Sequence, residues 1–110
     1  MTTPEGKVKN TVKKILKKYE GMVDGFWPVP SGLGESHLDY VGCVAVGKRP
    51  TGLFFAVETK APGKKPTARQ EKRINDVRGA GGKVFVIDGT TNTDTYEQFE
   101  AWLILMCMSK

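Results

Sequence analysis

Leu53-Phe54-Phe55-Ala56-Val57-Glu58-Thr59-Lys60 is an apolar run that ends in a carboxylate and an ammonium two residues apart. Its length and its Phe and Val content predict a buried β-strand. Residues two apart on a strand share a face, so Glu58 and Lys60 project together beside the core. Charged side chains seldom sit there without a partner or a task. The preceding run, Leu38–Val46, reads as a second strand with Asp39 at its start. Gly47-Lys48-Arg49-Pro50-Thr51-Gly52 joins the two as a hairpin turn. A turn centred on Lys48-Arg49 sets Asp39 directly across from Glu58, with Cβ atoms roughly 4.5–5.5 Å apart.

Downstream, Ala61 to Pro66 is a loop with two Pro, one Gly and two Lys. Thr67 caps a helix that runs to about Arg78, and Gly79-Ala80-Gly81-Gly82 stops it. Lys83–Asp88 is a third strand, Gly89 to Thr93 a polar loop, and Asp94 the cap of a last helix. Tyr96, Phe99, Trp102, Leu103 and Met106 mark the buried side of that helix. Upstream, Gly21 to Ser36 is rich in Gly and Pro and reads as irregular, with a short strand near Phe26–Val29. The first helix has Thr2 or Thr3 as cap, Pro4 in its first turn, and Glu5 placed for a capping box with Thr2. Val8, Val12, Ile15, Leu16 and Tyr19 fill one arc, lysines the other, and Gly21 sits as a C′ residue. The lysines form either a solvated face or a phosphate-contact face. The element order predicts a single α/β domain over 1–110, a mixed central β-sheet flanked by helices.

The chain has 110 residues, 17 Lys+Arg against 12 Asp+Glu, and a net charge of +5. A hydrophobic fraction of 39% is globular rather than disordered. Two Cys and one His support neither a disulfide scaffold nor a structural zinc site. The longest apolar run, Trp102 to Met108, falls far short of the ~20 residues that span a bilayer. No basic-then-apolar signal opens the chain, so a reducing, cytoplasmic setting without membrane contact is expected. The excess of positive charge suits a polyanion, nucleic acid first.

Two opposed carboxylates repel unless one is protonated or a cation lies between them. Mg²⁺ suits such a pair, because it takes a few carboxylate oxygens and keeps several waters. Lys60 beside that pair would orient an attacking water or bind the scissile phosphate, as metal-assisted phosphodiester hydrolysis requires. Gln70 shares a helix face with Ile74 and Val77, so its amide either reaches the same cluster or completes a capping box with Thr67. Glu5 lies in the apolar arc of the first helix and is either a further ligand or only a capping carboxylate. Lys48, Arg49, Lys64, Lys65, Arg69, Lys72 and Arg73 adjoin the cluster and would position a DNA backbone without reading bases. No aromatic-interleaved surface strand signals single-strand stacking.

Other signals carry less. Gly42 to Arg49 nearly matches a P-loop, but Arg49 replaces the required Ser/Thr and no helix follows, so no nucleotide cofactor is expected. His37 reads as a surface residue that also stands within reach of a phosphate. Cys43 and Cys107 read as buried thiols. Trp102 to Met108 is either core or a dimer surface.

Asp39, then Glu58-Thr59-Lys60, then Pro62-Gly63 and Gln70, then a Gly-rich turn and Val84-Phe85-Val86-Ile87, together resemble the virus-type replication-repair nuclease domain. That domain belongs to the PD-(D/E)XK nuclease superfamily. The resemblance runs from the Glu5 helix to Asp88. The stretch before Asp39 lacks the Pro that the family usually shows there. The resemblance implies a restriction-endonuclease-like core, with metal (Mg²⁺ or Mn²⁺) held by Asp39, Glu58 and the Thr59 carbonyl. It implies Lys60 as the catalytic lysine, Gln70 as a further site residue, and Glu5 as a helix carboxylate near the metal. Stand-alone domains of this kind in phages and bacteria resemble enzymes that resolve four-way (Holliday) junctions as homodimers. The expected activity is therefore cleavage of branched DNA. A less selective flap or single-strand nuclease and a non-catalytic DNA-binding module are the alternatives.

Overall fold

The computed structural model describes residues 2–29, 38–47 and 51–108. Helix α1 spans Pro4–Lys18, and strands β1, β2 and β3 span Val23–Phe26, Tyr40–Ala45 and Gly52–Thr59. Helix α2 covers Ala68–Gly79, β4 Lys83–Ile87 and α3 Tyr96–Met108. The four strands form one mixed sheet in the order β1-β2-β3-β4. The first two pairings are antiparallel, and β3 and β4 run parallel through the α2 crossover.

The sheet separates two apolar layers. Phe55 and Val57 of β3, with Phe85 and Ile87 of β4, face α1 and α3 and pack on Val12, Ile15, Phe99 and Leu103. Phe85 meets Phe99 and Trp102 edge to face, with ring centroids 5.0 and 5.3 Å apart, the geometry that ring quadrupoles favour. The alternate residues Ala56 and Val84 face the other way, onto Ile74 of α2 with Leu38 beside them. Glu58 and Lys60 continue the parity of Ala56, so the chemistry emerges on the α2 side of the sheet.

Four local expectations change. The first strand lies at Val23–Phe26, earlier than Phe26–Val29, because its residues gain ladder bonds only by pairing with β2. Thr3 alone caps α1, accepting from the Gly6 amide at 3.0 Å, and the helix ends at Lys18 with Tyr19 as cap. The Thr2–Glu5 box therefore does not form, and Gly21, at φ +90°, turns the chain into β1 beyond the helix end. Thr95, not Asp94, caps α3, in a reciprocal pair with Gln98. Asp94 instead closes the outer edge of β4, giving its amide to the Val86 carbonyl and accepting the Val86 amide at 2.9 Å. An unpaired strand edge is thereby blunted.

Gly82 permits the tight approach of α2 to β3. A Cβ there would meet Val77 at 2.7 Å and Phe54 at 3.0 Å. Cys43 is exposed, because α2 does not reach that end of β2, and Cys107 is half-buried. The α3 tail is divided: Trp102, Leu103 and Met106 pack on the core, whereas Ile104, Leu105 and Met108 are exposed. Among the described residues, no helix is long and apolar enough to cross a membrane.

Candidate active site

The hairpin has the expected register. Tyr40 pairs with Val57, which brings Asp39, one step outside the ladder, to Glu58. The two are joined through backbone as well as charge. The Asp39 amide donates to Glu58 Oε1 at 3.3 Å. The Asp39 carboxylate accepts the Thr59 amide at 2.8 Å and the Thr59 hydroxyl at 2.7 Å through the same oxygen, Oδ2. Thr59 thus aims one carboxylate while the strand itself aims the other.

Glu58 is only 1% exposed. Its Oε2 accepts from the Gln70 side-chain amide at 2.8 Å and lies 3.4 Å from the Lys60 ammonium. Burial first, and then the negative charge of Asp39, push the Glu58 carboxyl up to about 7, against the opposing pull of Lys60. A cation beside the pair would relieve that repulsion and favour the ionised form.

Gln70 resolves its two readings by fulfilling both. Its Oε1 accepts the Thr67 amide at 2.9 Å while its own backbone amide donates to the Thr67 hydroxyl at 3.2 Å, completing the capping box. Its Nε2 remains to donate to Glu58. An amide side chain carries both an acceptor and a donor end, so the cap locks the orientation of the donor.

Lys60 continues the parallel ladder, donating its amide to the Ile87 carbonyl at 3.0 Å. The loop beyond it is pinned by Asp88, which sequence reasoning did not single out. Asp88 is 1% exposed and accepts the Gly63 amide at 3.1 Å, the Thr90 amide at 2.8 Å and the Thr90 hydroxyl at 2.6 Å. Burial pushes its carboxyl up, but the bonds from Thr90, Gly63 and Thr93 outweigh burial and hold it at about 2. The Asp88-Gly89-Thr90 spacing, with a second hydroxyl at Thr93, was the available signal, because short polar side chains of this kind bond neighbouring amides in turns.

Glu5 is half-buried in the first turn of α1, on the helix layer that packs against the opposite face of the sheet. Among the described residues, no third His, Cys, Asp or Glu forms a metal-holding group with Asp39 and Glu58. Lys64, Lys65, Arg69, Lys72 and Arg73 are exposed, and Lys72 pairs with Asp76 at 3.0 Å. His37, Lys48 and Arg49 lie outside the described residues.

The two adjacent carboxylates of Asp39 and Glu58 are an all-oxygen donor set. Such a set fits a hard cation that keeps part of its water shell. Comparison of the chain with protein-family models, with curated proteins and with solved structures finds no significant match.

Proposed function

We propose that the chain is a Mg²⁺- or Mn²⁺-dependent endonuclease of the virus-type replication-repair class, on a PD-(D/E)XK core, that hydrolyses phosphodiester bonds in branched DNA. The observation that carries this is the Glu58 carboxylate, fully buried beside Asp39 and shared by Lys60 and Gln70. Asp39, Glu58 and the Thr59 carbonyl would hold the metal, which supplies Lewis-acid polarisation and a nucleophilic water when bound. Thr59 orients Asp39, and Gln70 orients Glu58. The Lys60 ammonium, tethered to Glu58, stands where it can bind a non-bridging phosphate oxygen and stabilise charge as it develops there. The exposed cations of the 61–66 loop and of α2 would hold the DNA backbone on the same side of the sheet.

A four-way junction offers two symmetry-related strands, and a twofold homodimer matches that symmetry. The exposed Ile104, Leu105 and Met108 of α3 are the apolar surface such a dimer would cover. The decisive test is cleavage of a labelled four-way junction and of a duplex of equal length, with Mg²⁺, Mn²⁺ or EDTA. Metal-dependent nicks at the junction that vanish with Glu58→Ala are expected. Binding without cutting under every metal condition would leave the carboxylate pair structural and the protein a DNA-binding module.

A further inference from the structure

A concavity of about 260 Å³ opens on the α2 side of the sheet, the side that carries Glu58 and Lys60. Phe26, Pro28, Leu38, Val41, Phe54 and Arg73 line it, with Val77 at its back. Its volume falls below the ~300–1,000 Å³ of pockets that enclose drug-sized ligands, and suits a single ring system. Phe26 is 62% and Phe54 45% exposed, although both sit on strands. The register explains why they share this face: Phe26 is opposite Val41, and Val41 opposite Ala56. Among the described residues, α2 packs through Ile74 over Ala56 of β3 and Val84 of β4.

Several lining residues neighbour the proposed active-site residues along the chain. Leu38 directly precedes Asp39, and Val41 follows Asp39 by two residues. Arg73 lies one turn of α2 beyond Gln70. Along the strands, Asp39 to Val41 and Glu58 to Phe54 are spans of about 7 and about 13 Å. A DNA strand advances about 3.4 Å per nucleotide when stacked as in a duplex and about twice that when extended, so the pocket lies about one to four nucleotides from the carboxylates.

We propose that this pocket is a subsite for one unpaired nucleobase of the DNA strand, stacked on Phe26 and Phe54, with Arg73 on its phosphate. The placing of DNA across this face rests on the nuclease reading above. Two exposed aromatic rings beside a guanidinium match a base and its phosphate in both surface chemistry and charge. Duplex bases are stacked and paired, so only an unpaired nucleotide can fill the pocket. The branched substrate best held here is therefore one with a single-stranded element next to the scissile bond, such as a flap or gap.

The test is fluorescence-anisotropy binding and Mg²⁺-dependent cleavage with the full chain. It compares a duplex, a four-way junction and a flapped duplex, for wild type, Phe26→Ala and Glu58→Ala. A flap series with one abasic position moved along the single strand perturbs only the DNA. Phe26→Ala is expected to weaken flap binding about 5- to 150-fold and duplex binding less than twofold. One abasic position about one to four nucleotides from the cut should reproduce that loss in the wild type. Equal effects on flap and duplex, or no effect of any abasic position, would overturn the subsite. Glu58-dependent cutting would then still stand. Base-dependent flap binding without any cutting would instead keep the subsite and remove the nuclease, and binding to none of the DNAs would remove both.

Discussion

Replacing Glu58 with Gln removes a carboxyl that burial and Asp39 push up to about 7. In the unfolded chain the same group titrates near 4.5. The native state therefore holds this proton more tightly than the unfolded state does. Its contribution to stability is complete below the unfolded value and is lost as pH rises through about 7. Over the whole window the loss is about 3 kcal/mol, most of it between pH 5 and pH 8. The side chain introduced by Glu58→Gln would also meet the Asp39 backbone amide and the Gln70 side-chain amide, both donors. That fixed cost does not titrate, so comparison at two pH values removes it. Urea unfolding of wild type and Glu58→Gln in EDTA, at pH 5 and at pH 8, gives the difference directly. The variant should gain about 2–3 kcal/mol on the wild type between those values. A difference that stays constant within about 0.5 kcal/mol would refute the reasoning, because Glu58 would then be ionised throughout and its repulsion from Asp39 negligible.

The same pair predicts a pH-dependent response to metal. At pH 8, Mg²⁺ at about 100 times its Kd should stabilise the wild type by about 2.7 kcal/mol. Thermal unfolding should show a much smaller rise at pH 5 and none in Asp39→Asn; equal stabilisation at both pH values would count against Glu58 as a ligand. Gln70→Ala removes one arm of the α2 capping box and a donor to Glu58, and should cost about 1–2 kcal/mol in chemical unfolding. Gln70→Glu keeps the cap but sets a like charge on Glu58, so it should hold helix stability at low pH and lose it at high pH. A pH-independent effect would separate Gln70 from the site. Asp88, held at about 2 against 3.8 when unfolded, stabilises the fold above the higher value and loses that contribution as pH falls through the lower. Asp88→Asn should therefore cost about 2 kcal/mol at pH 7 and progressively less toward pH 2, measured by denaturant unfolding; an undiminished cost at low pH would exclude the carboxylate charge as the cause.

The hairpin was legible because two patterns agreed. Run length with Val and Phe content assigned each strand, and a turn balanced between them set the register that brings Asp39 to Glu58. Gln70 was legible as a candidate, but two roles that looked exclusive proved compatible once the amide's two ends were assigned. The first strand was displaced because Val23-Asp24-Gly25-Phe26 has little strand character of its own and forms by pairing with β2. The α3 cap falls on Thr95 although Asp94 is the stronger capping residue, because the edge of β4 claims Asp94. The aromatic pocket was hidden for a different reason. Phe54 reads as part of a buried strand and Phe26 as part of a short strand in an irregular stretch, and neither pattern shows that both rings are exposed around one concavity. Coverage of one element by another is a tertiary property, and local patterns do not encode it.

Single-turnover cleavage of a labelled branched DNA at saturating Mg²⁺, wild type against Lys60→Ala, tests the central claim most directly. The account predicts a loss of about 10²- to 10⁴-fold in rate for Lys60→Ala with DNA binding and Mg²⁺ stabilisation retained, since Lys60 acts on the reacting phosphate or water and does not hold the metal. A Lys60→Ala protein that cuts at the wild-type rate would contradict it.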